Sequence, residues 1–145
     1  MNIGVDVDKV NAESDIVTLM KNAIAELEST YNTTAQEIDR NKSYELDIGQ
    51  DIVINFSVPT MAVLDYKGYE FGSDNMTEID QWRDVCRAIP EVVRALNSGE
   101  FEEYAYAKGD KEYPGYIEIT SASGTLRLSH NKQPLFTLFH KKHRR

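Results

Sequence analysis

Apolar residues at Met76, Ile79, Trp82, Val85, Cys86 and Ile89 recur at spacings of three and four. That is the period of one face of a helix, and Glu78, Asp80, Gln81, Arg83, Asp84 and Arg87 fall between them, on the side meant for water. Asn75 with Glu78, or Thr77 with Asp80, can cap the start. Pro90 lacks a backbone N–H and disfavours helical angles at Ile89, so the spacing predicts a break there and a short second helix over Glu91–Leu96. Asn97-Ser98-Gly99 supplies the stop, with Gly99 suited to a left-handed cap.

An earlier stripe, Ile16, Leu19, Met20, Ala23, Ile24, Leu27 and Tyr31, predicts a helix that starts at Ser14 and ends near Tyr31 or Ile38. Ahead of it, Ile3, Val5 and Val7 alternate, which suggests a short strand or an extended arm over Met1–Val10. Asp39 to Ser43 reads as a polar connector. From Tyr44 to Phe71 the period changes to two. Ile52, Ile54, Phe56 and Val58 alternate with Val53, Asn55 and Ser57, Met61–Tyr66 forms another strand, and Lys67-Gly68 turns into Tyr69–Phe71.

After Gly99 the pattern is again that of strands. These are Phe101–Ala107, Tyr113–Ser121 with a bulge at Pro114-Gly115, Thr125–Ser129, and Leu135–His140, apolar on both faces. Ser121 to Gly124 is a hairpin loop, and Lys141–Arg145 reads as a frayed basic tail. The predicted order is α-β-β-β-α-α-β-β-β-β. Short turns between consecutive strands make this an α+β fold, with one or two antiparallel sheets packed by an N-terminal helix and a Pro-broken helix pair. Residues 1–140 form one expected domain and 141–145 its tail.

Composition narrows the chemistry. The 145 residues are 41% hydrophobic and 28% charged, ordinary for a chain that folds around its own core. Cys86 is the single cysteine, so no intrachain disulfide forms, and without a long apolar run a cytoplasmic protein with no membrane segment is expected. Net charge is −8, but four of the 16 Lys and Arg side chains lie in the last five residues, leaving 12 against 24 acids before them. Between Tyr44 and Asp80 eight acids, among them Glu45, Asp47, Asp51, Glu70 and Asp74, face one base, Lys67. A field of that sign repels phosphate backbones and favours basic partners.

No catalytic, metal or nucleotide motif survives inspection. Cys86 lies on an apolar helix stripe, where a thiolate is disfavoured. His130, His140 and His143 lack the spacing of a zinc site, and Gly68-x-x-x-Gly72 lacks the residues of a phosphate loop. Asp6-x-Asp8 fails as a calcium loop, because Val10, Asn11 and Val17 occupy positions that require other residues. The pairs Asp6/Asp8, Glu45/Asp47 and Glu102/Glu103 arise readily in so acidic a chain, although Glu45 and Asp47 share one strand face. No cofactor and no metal is expected.

Tyrosine is the unusual feature. Tyr104 and Tyr106 share a strand face, with Tyr113 or Tyr116 placed to oppose them. Such a surface anchors protein interfaces or stacks single-stranded bases. The leading expectation is a non-enzymatic binding protein whose acids (Glu45, Asp47, Asp51, Glu70, Asp74) and tyrosines (Tyr104, Tyr106, Tyr113, Tyr116) engage a basic protein surface. Small inhibitors, immunity proteins and phage-encoded anti-defence proteins have this composition. The alternative is a single-strand nucleic-acid binder. The strands followed by Met76-Thr77-Glu78-x-x-x-Trp82 resemble single-strand-binding transcriptional coactivators, whose sheet precedes such a helix; that resemblance implies nucleic-acid binding, against the net charge. A small enzyme or ligand-binding domain is the third expectation.

Overall fold

The computed structural model describes residues 3–122, 124–137 and 140–145. The elements run α1 (Ile3–Tyr31), β1 (Gln36–Asp39), β2 (Ser43–Gly49), β3 (Ile52–Ser57), β4 (Met61–Tyr66), β5 (Tyr69–Ser73), α2 (Ile79–Ser98), β6 (Glu102–Lys108), β7 (Lys111–Ser121), β8 (Gly124–His130) and β9 (Lys141–Arg144). The fold is α+β, as the periodicity implied. The described strands form one antiparallel sheet in the order β1-β2-β3-β4-β5-β8-β7-β6-β9.

Directly paired residues in an antiparallel sheet project to the same face, and neighbours along a strand project to opposite faces. Leu46, Ile54, Leu64 and Phe71 therefore share the inner face, through the pairs Leu46↔Ile54, Ile54↔Leu64 and Leu64↔Phe71. Ile52, Phe56, Ala62, Ile117, Ile119 and Leu128 belong to the same core, which closes against Met20, Ile24 and Leu27 of α1 and Trp82, Ile89, Val92 and Val93 of α2. The Trp82 ring is fully buried, and its indole N–H donates to the Pro59 carbonyl at 2.6 Å. The indole thus ties α2 to the turn between β3 and β4.

Five expectations are corrected. Pro90 lies inside α2 without ending it. A proline in a helix interior costs about 3 kcal/mol. Ile89, Val92 and Val93, all fully buried around it, offset that at roughly 1.5–3 kcal/mol each. The helix begins after Glu78 rather than at Asn75 or Thr77, with Gln81 Oε1 accepting from the Thr77 and Glu78 N–H groups. It ends at Gly99 in the left-handed region, as expected.

Residues 3–13 continue α1 rather than forming a strand or arm. Ile3, Val7 and Val10 also stand at helical spacing, so alternation there is ambiguous. Residues 135–137 and 140 carry no strand, and the rest of the expected strand Leu135–His140 lies outside the described residues. That stretch instead carries the chain from β8 past two strands to β9.

The tail is not frayed. Lys141–Arg144 pair with Tyr104–Ala107 of β6. Arg145 reaches Glu103 at 3.0 Å and Glu112 at 2.6 Å, and Arg144 reaches Glu102 at 3.2 Å. A basic strand on an acidic edge gains both a backbone ladder and charge pairing. The Glu112 carboxyl titrates below its ordinary value, first because it accepts hydrogen bonds from Arg145 and then from His143. A carboxyl lowered in the fold contributes stability above its unfolded value and loses it as pH falls through the lower, folded one. Acidification below about pH 4 should therefore release β9 before the core. Backbone chemical shifts of residues 141–144 would report it, losing strand character while those of α2 stay unchanged.

A candidate acidic docking face

Register decides what the outer face of the sheet displays. One row of paired residues crosses eight strands: Asp47, Val53, Asp65, Glu70, Ser129, Tyr116, Tyr104 and Arg144. The next row carries Glu45, Asn55, Val63 and Gly72. Four of the outward positions over β2–β5, Glu45, Asp47, Asp65 and Glu70, are therefore acidic. The helices bury their apolar side chains on the opposite side.

The two halves of this face treat charge differently. On the β6–β9 half, Arg127 pairs with Glu118 at 2.9 Å and Arg144 with Glu102 at 3.2 Å. On the β2–β5 half, no ion pair to Glu45, Asp47, Asp65, Glu70 or Asp74 occurs among the described residues. Asp47 Oδ1 accepts from the Gly49 N–H and Asp65 Oδ1 from the Gly68 N–H, turn contacts that add no positive charge. Asp51 sits apart, in the β2–β3 turn, 3.9 Å from Lys67. Uncompensated like charge is thus concentrated on one half of one face, the arrangement that attracts an opposite charge most strongly.

Three of the carboxylates, Asp65, Glu70 and Asp74, rim a shallow trough of about 520 Å³ that is also lined by Asn55, Met61, Val63, Gly72 and Ser73. Its half-buried Met61 and Val63 side chains give it an apolar floor. A lysine or arginine has the complementary shape, an apolar stem ending in a cation. Gly72 is obligatory in this wall. Its φ is +110°, and a Cβ there would lie 2.0 Å from the Ala62 carbonyl oxygen.

The four tyrosines share the outer face, because the register shift between Tyr104 and Ala105 brings both Tyr116 and Tyr113 opposite Tyr104 and Tyr106, but two of the rings are covered. Tyr116 is 1% exposed and Tyr106 9%. The Tyr104 and Tyr116 rings stack with centroids 4.9 Å apart, and the Arg127 guanidinium lies 3.9 Å over Tyr116. The Lys142 ammonium lies 5.0 Å from the Tyr104 centroid and Tyr113 meets the His140 ring edge-on at 5.3 Å. Tyr104 Oη donates to Glu102, the main reason its phenol titrates above the usual value. These rings knit β6, β7, β8 and β9 together; the faces of Tyr104 and Tyr116 that a stacked base needs are already occupied by the protein's own side chains.

Other candidate chemistry is accounted for structurally. Burial pushes the Cys86 thiol up to about 11, so it is no nucleophile at neutral pH. Tyr69 is buried and donates its hydroxyl to Glu103, and burial above all holds its phenol above the usual value. No group of three or more His, Cys, Asp or Glu that could hold a metal ion occurs among the described residues. No helix there is long and apolar enough to cross a membrane.

Sequence reasoning singled out Glu45, Asp47, Glu70 and Asp74 but missed Asp65, Met61 and Val63. The alternation of Met61, Val63 and Asp65 along β4 was the available signal. No protein-family model, curated protein or solved structure matches the chain.

Proposed function

We propose that this chain is a non-enzymatic binding protein that docks the β2–β5 half of its sheet onto a basic surface of a partner protein in the cytoplasm. The observation that carries the proposal is the set of uncompensated acids on this face, Asp65, Glu70 and Asp74 around an apolar floor with Asp47 and Glu45 at outward positions of β2. Solvent-accessible carboxylates around an apolar centre match the anatomy of protein interfaces, in which a few anchors sit in pockets within a polar rim. Charge of this density also steers association and makes it salt-sensitive. Occupying the basic channel of a nucleic-acid-handling protein is one way such docking inhibits, because the acids present the charge that a phosphate chain would. Single-strand nucleic-acid binding is the weaker reading, since the tyrosines are packed against Arg127 and Lys142 and the open half of the face is anionic.

Capture from a lysate of the native host tests the docking role. Wild-type protein should retain a basic protein at low salt. A variant carrying Asp47→Asn, Asp65→Asn, Glu70→Gln and Asp74→Asn should retain roughly ten- to a hundredfold less of it, at one to three kcal/mol of lost binding. These side chains lie on the open face, so thermal stability should change little. Equal retention by both proteins would discard the acidic face as the docking surface.

A further inference from the structure

The sheet is nearly split where its two halves meet. β5 and β8 share only the pairs Tyr69↔His130 and Glu70↔Ser129. Above them, Phe71, Gly72 and Ser73 pair with β4 on one side, while Leu126, Arg127 and Leu128 pair with β7 on the other. No backbone hydrogen bond joins these two stretches among the described residues. Every second residue in each stretch therefore turns its N–H and C=O toward the gap, and an unpaired strand edge is a template for another strand. The opening holds about 500 Å³, and Val85 of α2 lines it together with Phe71. It joins the acidic trough directly: Glu70 and Gly72 line both, and Gly72 has no side chain to divide them.

Building on the docking role proposed above, we infer that this slot receives an extended segment of the protein partner, added as a strand along the free edge of β5. Strand addition draws affinity from main-chain hydrogen bonds and specificity from pockets for alternate side chains. Those pockets differ in chemistry here. Outward-facing side chains of the segment meet Glu70, Asp65 and Asp74; inward-facing ones meet Phe71 and Val85. The occupant that satisfies both alternates Lys or Arg with Val, Leu or Ile. Arg127 and His130 also line the slot, on the β8 side. The Arg127 charge is met by Glu118 at 2.9 Å, and His130 Nδ1 accepts from the Lys132 N–H, so the carboxylates of the β4–β5 side set the sign. The chain already holds one basic strand in this way, β9 against β6.

The test uses the whole protein and a capped heptapeptide, Lys-Val-Arg-Val-Lys-Val-Arg, at low salt. Controls are a block-ordered peptide of the same composition and two forms of the alternating peptide N-methylated on every second residue, in either register. The alternating peptide should bind roughly tenfold more tightly than the block-ordered one and slow amide hydrogen exchange at Gly72, the one residue of Phe71, Gly72 and Ser73 whose N–H turns toward the gap rather than toward β4. At least one N-methylated form should lose roughly that tenfold. Equal binding of all four peptides, without protection of the Gly72 amide, would overturn strand addition while leaving charge-driven docking intact. Binding of none would also overturn it. Failure of the docking role itself would appear separately, as equal lysate capture by wild type and the four-site variant.

Discussion

Replacing Trp82 by alanine should cost roughly 4 kcal/mol of stability, the largest loss expected of any single side chain here. Three physical reasons combine. The indole is fully buried, so its removal leaves a cavity among close-packed neighbours. It stands on the one stripe of α2 that meets the sheet. Its N–H satisfies the Pro59 carbonyl at 2.6 Å, which would otherwise be left without that donor. Thermal unfolding of the variant should fall by roughly 10 °C. Trp82→Phe separates the contributions. It keeps an aromatic ring but loses the donor, and should cost about 2 kcal/mol, partly for the unpaired carbonyl and partly for the lost volume. A midpoint for Trp82→Ala within a degree or two of wild type would mean that α2 is not anchored through this residue.

Gly72→Ala should be nearly as damaging, at about 3 kcal/mol, although it adds one methyl group to a surface strand. The added Cβ would lie 2.0 Å from the Ala62 carbonyl oxygen. That atom is backbone in a paired strand and cannot swing aside as a side chain would. The φ of +110° adds a backbone penalty of its own. Relief requires β5 to move off β4, and the same movement would distort the wall shared by the trough and the slot. Stability and partner binding should therefore fall together, as denaturant unfolding and affinity measured on the same sample would report. At Gly109, where φ is also positive but a Cβ meets nothing within 4 Å, alanine should cost only about 1 kcal/mol. Equal effects at the two positions would show that the close approach of β4 to Gly72 contributes nothing.

Much of the fold could be read from the chain because its physical signals are local. The Trp82 stripe, the Gly99 stop, the alternation of Ile52, Ile54 and Phe56, and the bulge beside Pro114-Gly115 each depend on residues within a few positions of one another. The misread elements depended on distant partners. Pro90 looks like a break until the burial of Ile89, Val92 and Val93 around it is known. Lys141–Arg145 looks like a free tail until Glu102, Glu103 and Glu112 are seen waiting at the edge of β6. Gln36–Asp39 is an exposed four-residue edge strand held by its pairing with β2.

The candidate site divides in the same way. Composition located the acids, and strand alternation placed Glu45 and Asp47 on one face. Aligning Asp47 with Asp65 and Glu70 required the register across three successive turns. The β2–β3 turn alone holds Gly49, Gln50 and Asp51 at positive φ, and no short pattern fixed its length. The tyrosines show the converse limit. The shared face of Tyr104 and Tyr106 was legible, but the cover over Tyr116 comes from Arg127 and Lys142, one strand to either side of the β6–β7 hairpin.

The docking account stands most directly on the salt dependence of one affinity. The captured partner would be titrated with wild-type protein and with the Asp47→Asn, Asp65→Asn, Glu70→Gln, Asp74→Asn variant over a series of ionic strengths. Wild-type affinity should fall steeply as salt rises, while the variant binds weakly throughout and with a much shallower slope. Equal affinities with equal slopes would contradict the account.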